Sequence, residues 1–198
     1  MLKTLIIASS NAGKVAELQE HLNHFNNSLN FDLRLKPQDL EVEETATSFI
    51  ANAHLKASQV AIATHEWTIA DDSGLEVMAL NGAPGIFSAR YANSDSARIQ
   101  RLLSELATET NRQAQFVCAI ALADPNGKIQ AEAVGICVGE IINLPRGEFG
   151  FGYDPVFYVP EYKLTFAEMA PDLKSEISHR AKAMEILRPQ LVQLFSSL

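Results

Sequence analysis

Apolar residues at the start of the chain follow first a strand pattern and then a helix pattern. The run Leu5-Ile6-Ile7-Ala8 is short, apolar and β-branched, as in a buried strand. Val15, Leu18, Leu22 and Phe25 then recur at the spacing of one helix face. The pattern therefore predicts that the chain opens with a strand, a loop and a helix.

The middle of the chain alternates in the same way. Phe31, Leu33 and Leu35 alternate as in a short second strand, and residues 46–63 are alanine-rich with a helical apolar side. Apolar runs at 67–70 and 75–80 predict two further strands, and they are separated by Asp71-Asp72-Ser73-Gly74. We expect a buried strand to end in a loop at these two carboxylates.

The second half of the chain indicates a hairpin and a closing helix. Strand-like segments at 113–122 and 128–142 flank Asp124-Pro125-Asn126-Gly127, a strong hairpin signal. Helical material from 175 to 195 ends the chain, and Pro189 is expected to kink it. Together these elements predict an α/β fold with a central mixed sheet flanked by helices. We expect two lobes that enclose a substrate cleft within a single domain over residues 1–198.

Composition and charge exclude several partner classes. The chain has 198 residues, 47% of them hydrophobic, and a formal net charge of -8. The negative charge argues against general binding to nucleic acid or to an anionic membrane, so any basic site must be a local pocket. No apolar stretch is long enough for a membrane span or a signal-peptide core, which predicts a cytoplasmic protein. Cys118 and Cys137 lack CxxC spacing and are expected to be reduced core residues.

The first strand–helix junction is a candidate phosphate site with the sequence Ser9-Ser10-Asn11-Ala12-Gly13-Lys14. Such a junction presents free backbone N–H groups and the positive end of the helix dipole, and Lys14 adds a charge. The segment is not a Walker P-loop, because the first glycine is missing and Val15 follows the lysine. Taken alone, it fits an ordinary helix start equally well.

The adjacent carboxylates Asp71 and Asp72 are a candidate metal site. Neighbouring residues of a strand point to opposite faces, so we expect one carboxylate to face a cleft while the other has a structural role. The alternative is an Asx turn, in which both side chains bond local N–H groups before Gly74.

Two further clusters are candidates for binding a nucleotide base. Phe151 lies at the end of the glycine-rich loop 147–152 and could stack on a base, with Asp154 nearby as an acceptor. Lys174 and Ser178-His179-Arg180 place donors at the start of the last helix, where cations are unfavourable to the dipole. The alternatives are a core aromatic beside a turn and a solvated helix turn.

These segments together resemble the inosine/xanthosine triphosphate pyrophosphatase family, and the resemblance covers nearly the whole chain. The matching segments, in family order, are Ser9-Ser10-Asn11-Ala12-Gly13-Lys14, Glu43-Glu44-Thr45, Asn52 with Lys56, Ala70-Asp71-Asp72-Ser73-Gly74-Leu75, Gly82-Ala83-Pro84-Gly85 with Ser88-Ala89-Arg90-Tyr91, Phe151-Gly152-Tyr153-Asp154-Pro155, and Ser178-His179-Arg180. The resemblance implies hydrolysis of noncanonical purine nucleoside triphosphates (ITP, dITP, XTP) to the monophosphate and pyrophosphate. It also implies Mg²⁺ as cofactor and a homodimer.

The resemblance also implies a role for each candidate residue. Ser9 to Lys14 would cradle the triphosphate, with Lys56 as a second phosphate-side cation. Asp72 would hold Mg²⁺ and act as the base for the attacking water, with Glu44 as second metal ligand and Ser73 beside the substrate. The implied nucleoside contacts are Phe151, Gly152, Tyr153, Asp154, Lys174, His179 and Arg180.

The chemistry of these residue types agrees with that activity. Hydrolysis at the α-phosphorus needs neutralised phosphates, a hard cation on oxygen ligands and a positioned water. Lys14, Lys56, Asp72 and Glu44 supply those parts. The donors Arg180, Lys174 and His179 predict a purine with a 6-oxo group. The alternatives are a pyrophosphatase for pyrimidine or modified nucleotides and a nucleotide sensor without turnover.

Overall fold

The computed structural model describes residues 3–29 and 31–196, and the side chains of 25–29, including Phe25, lie outside that description. The strands are β1 (Lys3–Ile7), β2 (Phe31–Leu35), β3 (Trp67–Val77), β4 (Gln113–Ala123), β5 (Ile129–Ile141), β6 (Phe157–Val159) and β7 (Leu164–Thr165). The helices are α1 (Ala12–Leu29), α2 (Phe49–Thr64), α3 (Asp95–Glu105), α4 (Pro171–Ile177) and α5 (His179–Ser196). Two 3-10 segments, Met78–Leu80 and Gly85–Arg90, follow β3.

The seven strands form one sheet in the order β2-β1-β3-β4-β5-β6-β7. β1 pairs in parallel with β2 and with β3, and β6 pairs antiparallel with β5 and with β7. β4 and β5 are neighbours joined by a turn in which Asp124 N–H donates to the Lys128 carbonyl over 2.9 Å. The α/β class, the mixed sheet and the hairpin are therefore confirmed.

The chain divides into two compact units. The first consists of the residues up to Asp72, Cys118–Gly135 and the residues from Arg180 onward. Its core is formed by β1, β3 and β4 together with the apolar faces of α1 and α5. Val15, Leu18 and Leu22 are buried there, as the helical spacing predicted. Unit 1 thus fixes the ends of β1 and α1 around the Ser9 to Lys14 junction.

The second unit consists of Ser73–Val117 and Ile136–His179. Three phenylalanine rings fill its core: Phe157 lies 4.6 Å from Phe116 and 4.9 Å from Phe166 between ring centroids. α3 packs onto this core through Ile99 and Leu102, which are both buried. Cys137 belongs to this core and Cys118 to that of the first unit, and both are free thiols, as expected.

Two of the predicted boundaries are wrong. β3 does not end at Asp71-Asp72-Ser73-Gly74 but runs through them to Val77, because both carboxylates find partners in the interior. Because Asp71 and Asp72 lie inside a strand, an Asx turn at these residues is also excluded. The closing helical region is two helices, since Ser178 has extended backbone (φ -65°, ψ 163°) between α4 and α5. Pro189 lies inside α5, which continues to Ser196, and the expected kink stays a prediction.

Across 3–29 and 31–196, no helix has both the length and the apolar character that crossing a bilayer requires.

Candidate active site

The two adjacent carboxylates lie in the buried middle of β3. Asp71 is 0% exposed and Asp72 is 3% exposed. Because successive side chains of a strand point to opposite faces, the two carboxylates have different principal partners. Arg180 Nη2 donates to Asp71 Oδ2 over 2.9 Å, whereas Asn52 Nδ2 donates to Asp72 Oδ2 over 3.0 Å.

Asp71 belongs to a buried ion group. Arg180 is 1% exposed and donates from Nη2 to Asp71 and from Nη1 to Glu17 on α1. Lys14 Nζ lies 3.7 Å from Asp71 Oδ2. Burial alone would raise the pKa of Asp71, but Lys14, Arg180 and Lys56 together hold it well below its ordinary value. Asp71 is therefore charged at neutral pH, and the Arg180 guanidinium balances that charge.

Asp72 lies in a different electrostatic setting. Its Oδ1 is 4.0 Å from Lys14 Nζ and 3.9 Å from Lys56 Nζ. Burial raises the pKa of Asp72, and the nearby charge of Glu44 raises it further. The two lysines and the Asn52 hydrogen bond lower it, but the net pKa is above the ordinary value. Asp72 is therefore the more basic carboxylate, and the ammonium groups of Lys14 and Lys56 both lie near it.

Helix α2 supplies the partners of Asp72. Ser48 caps this helix by accepting from Ala51 N–H, and Asn52 and Lys56 lie one turn apart on the same face. Asn52 Oδ1 accepts from Ala46 N–H over 3.0 Å, which orients its amide group so that Nδ2 donates to Asp72. One helix face therefore places both a donor and a cation at the carboxylate.

Glu44 joins the cluster through Lys56. Lys56 Nζ lies 2.6 Å from Glu44 Oε1. Burial lowers the pKa of Lys56, but Asp71, Asp72 and Glu44 raise it above its ordinary value, so the lysine stays charged. The carboxylates of Glu44 and Asp72 thus share one ammonium group.

These two carboxylates suit a hard divalent cation. Mg²⁺ is usually held by one or two protein carboxylates, with waters and substrate phosphate oxygens in the other positions. Within the described part of the chain, no group of three or more His, Cys, Asp or Glu side chains could hold a metal ion. Glu44 and Asp72 would therefore suit a magnesium ion whose other positions are filled by substrate oxygens and waters.

The Ser9 to Lys14 segment forms the capped start of α1, which begins at Ala12. Asn11 Oδ1 accepts from Lys14 N–H over 3.1 Å, and Ser9 Oγ accepts from Asn11 N–H over 3.3 Å. Asn11 therefore acts as a helix cap, while Ser10, Asn11 and Ala12 are exposed and Ser9 and Gly13 are partly exposed. The first-turn amides of an 18-residue helix and the Lys14 side chain lie together here, as the phosphate hypothesis requires.

The second unit contains a separate polar cluster around Phe151. Asp154 Oδ2 accepts from Lys174 Nζ over 2.6 Å and from Phe151 N–H over 2.9 Å. The Lys174 ammonium lies 4.9 Å from the centroid of the Phe151 ring. The structure therefore brings together the predicted aromatic, acceptor and donor, and an ion pair joins the last two.

Two neighbours of this cluster, Tyr153 and His179, are buried side chains. Tyr153 is buried and its hydroxyl donates to the Ser88 carbonyl over 3.0 Å; burial raises its pKa, so it stays a donor. His179 stacks on Phe116 with 4.7 Å between ring centroids and 13° between planes.

Gly152 has a φ of +63°, which glycine adopts without strain. Ser73, half-buried in β3, follows Asp72 directly.

The predicted donor cluster is divided differently from the expectation. Lys174 belongs to the short helix α4, not to the start of the last helix. Arg180 belongs to the first unit, where its two guanidinium nitrogens face Asp71 and Glu17. A contact between Arg180 and the base stays a prediction.

Sequence reasoning missed several residues of these clusters. Asn52 was noted only as part of a motif, although its i, i+4 spacing from Lys56 on a predicted helix indicates a shared face. Glu17 and Asp95 gave no local signal, because their partners are 163 residues away (Arg180) and 57 residues away (Gly152).

Comparison with known proteins places the chain in a family. The model of the Ham1 family matches residues 5–190. This chain belongs to the Ham1 family. The dITP/XTP pyrophosphatase of Nostoc sp. (strain PCC 7120) is 57% identical over 197 residues, which are 100% of this chain and 98% of the relative. The dITP/XTP pyrophosphatase of Synechocystis sp. (strain PCC 6803) is 54% identical over 94% of each chain.

Solved structures of Ham1 proteins have the same fold. The Staphylococcus aureus Ham1 protein matches with a TM-score of 0.85 and 41% identity, over 97% of this chain and 100% of that one. The Coxiella burnetii Ham1 protein matches with a TM-score of 0.83 and 40% identity, over 100% of both chains. The resemblance identified from the sequence motifs is confirmed.

Proposed function

We propose that this Ham1 protein hydrolyses noncanonical purine nucleoside triphosphates, namely ITP, dITP and XTP, to the nucleoside monophosphate and pyrophosphate. Membership of the family and the printed activity of relatives at 57% and 54% identity support the reaction class. The observation that carries the mechanism is the unequal environment of Asp71 and Asp72: Arg180 neutralises one, and two lysines and an amide surround the other.

The phosphates bind the charged cluster of the first unit. The first-turn amides of α1 and the ammonium groups of Lys14 and Lys56 neutralise the triphosphate. The Nζ atoms of Lys14 and Lys56 lie 4.0 and 3.9 Å from Asp72 Oδ1. The phosphate grip and the catalytic carboxylate are therefore parts of one cluster, and pyrophosphate is the leaving unit.

Asp72 acts as the base. Water attacks the α-phosphorus, its proton passes to an Asp72 oxygen, and the bond to the β-phosphate oxygen breaks to release pyrophosphate. Asn52 holds the other Asp72 oxygen, so the carboxylate keeps one orientation during the transfer.

Glu44 and Asp72 would hold Mg²⁺, and the ion would neutralise charge that develops on the phosphate oxygens. Lys56, whose Nζ lies 2.6 Å from Glu44 Oε1 and 3.9 Å from Asp72 Oδ1, adds a fixed positive charge beside the same two carboxylates.

The base binds the cluster of the second unit. The purine stacks on Phe151, and its 6-oxo group accepts from Lys174, which Asp154 orients at 2.6 Å. Adenine has an amino donor at the same position. A donor that faces a donor in a water-excluded site costs about 1–3 kcal/mol, so one or two such mismatches lower kcat/KM for ATP roughly 10- to 10⁴-fold.

The protein is a cytoplasmic homodimer. Family resemblance supports this part of the proposal, and light scattering tests it, because a species of only 21.7 kDa would exclude the dimer.

A panel of nucleotides tests the proposed function. We expect kcat/KM to be highest for dITP, ITP and XTP, lower for GTP and lowest for ATP and the pyrimidine triphosphates. Anion-exchange chromatography should find the monophosphate and pyrophosphate in equal amounts, and EDTA should abolish both. A diphosphate product with free orthophosphate, or equal rates with ATP and ITP, would contradict the proposal.

A further inference from the structure

The glycine-rich segment that carries Phe151 is bound by two carboxylates on consecutive backbone amides. Phe151 N–H donates to Asp154 Oδ2 over 2.9 Å, and Gly152 N–H donates to Asp95 Oδ2 over 2.8 Å. These two amides lie on either side of the Phe151 Cα. The backbone that aims the Phe151 ring is therefore held at both ends, once from within the segment and once from helix α3.

The backbone of this segment has little stiffness of its own. Gly147, Gly150 and Gly152 have φ angles of +85°, +76° and +63°. A Cβ at Gly150 would clash with the Asp154 carboxylate, so the bond from Phe151 N–H to Asp154 depends on a glycine there. Glycines widen the range of conformations that the chain can adopt, so bonds from outside must select one of them.

The segment and α3 face each other across a cavity of about 760 Å³, and its lining includes Ile99, Leu103, Phe149 and Phe151. Asp95 and Gly152 also line this cavity, so the hydrogen bond between them joins its two walls.

Asp95 is itself oriented by its own helix. It occupies the first turn of α3, after the cap residue Ser94. Its second oxygen, Oδ1, lies 2.5 Å from Arg98 Nη1, one turn further along. Asp95 Oδ1 is therefore held by Arg98 of the same helix, and Asp95 Oδ2 accepts from Gly152 of the loop.

We propose that Asp95 is a positioning residue for recognition of the base: it anchors Gly152 and thereby holds the Phe151 ring in the orientation that stacks on the purine. This inference rests on the proposed function. Asp95 acts through the loop and touches no reacting atom, so its loss affects binding of the base and leaves the phosphate chemistry of Asp72 unchanged.

The test compares three variants of the whole protein. Asp95→Ala removes the acceptor, Asp95→Asn keeps an oxygen acceptor for Gly152, and Arg98→Ala removes the other partner of Asp95 while leaving the acceptor. We expect Asp95→Ala to raise KM for ITP roughly 3- to 10-fold with kcat within about twofold of wild type. Asp95→Asn should restore KM, and Arg98→Ala should resemble wild type.

Amide hydrogen exchange supplies a second readout that needs no substrate. In Asp95→Ala, peptides that contain residues 147–152 should exchange faster, while peptides from β1 and β3 should not change. If the wild type failed to hydrolyse ITP, the proposed function would fall, and the exchange result would still test the anchor.

Two results would overturn the inference. One is wild-type KM and exchange in Asp95→Ala. The other is the same rise in KM in Arg98→Ala, which would assign the effect to the ion pair within α3.

Discussion

Asp71→Asn and Asp72→Asn are the same chemical change in adjacent residues, and we expect them to have different consequences. Asp72→Asn should remove turnover and leave the protein folded. Asp71→Asn should destabilise the protein and affect the chemistry much less. The difference follows from the partners of each carboxylate, because the buried Arg180 donates to Asp71, whereas Asn52 donates to Asp72 and two lysines lie near it.

The loss of activity in Asp72→Asn comes from a base and a metal ligand that are removed together. A general base contributes roughly 10²- to 10⁴-fold, and loss of metal positioning adds to that. Stability should change little, because burial of the charged Asp72 is already unfavourable and an asparagine can still accept from Asn52. Nucleotide affinity should largely remain, since Lys14 and Lys56 are unchanged.

The loss of stability in Asp71→Asn comes from a buried charge that loses a partner. Breaking a buried ion pair by removing one partner costs about 3–5 kcal/mol. Glu17 remains beside Arg180, so the value should lie near the lower end. For a protein of this length, 1 kcal/mol shifts Tm by about 2–4 °C, so we expect a decrease on the order of 6–12 °C.

Thermal unfolding at two pH values checks that cause. The pKa of Asp71 is held below its ordinary value, so its contribution to stability is present above the ordinary aspartate pKa of about 3.9 and is lost as pH falls below it. The difference in Tm between wild type and Asp71→Asn should therefore shrink from pH 7 to pH 3. An inactive but stable Asp71→Asn beside an active Asp72→Asn would reverse the assignment.

Three further predictions concern residues outside this pair. Arg180→Lys loses the two-nitrogen fork that faces Asp71 and Glu17 and should cost about 1–3 kcal/mol of stability. A smaller kcat/KM ratio of ITP to ATP in this variant would support the predicted contact between Arg180 and the base, and an unchanged ratio would remove Arg180 from base recognition. Lys174→Met should lower kcat/KM for ITP about 10- to 100-fold more than for ATP, and an unchanged ratio would remove this lysine from base recognition. Neither Cys118 nor Cys137 should react with a thiol reagent in the native protein at pH 9, because both thiols are buried and burial raises the pKa of Cys118 to about 12. Rapid labelling of either cysteine before unfolding would contradict the structure.

Periodicity predicted most of the elements, because a strand or helix face is recorded in neighbouring residues. The predicted loop at Asp71-Asp72 failed for a physical reason: a buried carboxylate is stable only with partners, and those partners come from distant segments. Arg180 is 109 residues from Asp71, and Asn52 is 20 residues from Asp72. Local sequence therefore indicated an exposed turn where the fold forms a buried strand.

The candidate site shows the same limit. Family motifs predicted the members of the site but not their pairing: Arg180 donates to Asp71 in the structure, and its contact with the base stays a prediction. The pairing of Lys174 with Asp154 likewise joins residues 20 positions apart, from a loop and from α4. Which cation meets which carboxylate depends on the packed fold, and charge pattern alone does not specify it.

Hydrolysis in water enriched in oxygen-18 tests the central claim most directly, because the label marks the phosphorus that water attacks. The reaction should be run with dITP and Mg²⁺, and both products should be analysed by mass spectrometry after a single turnover. If water activated by Asp72 attacks the α-phosphorus, one labelled oxygen enters the nucleoside monophosphate and the pyrophosphate carries none. Label in the pyrophosphate, or in orthophosphate, would contradict the account.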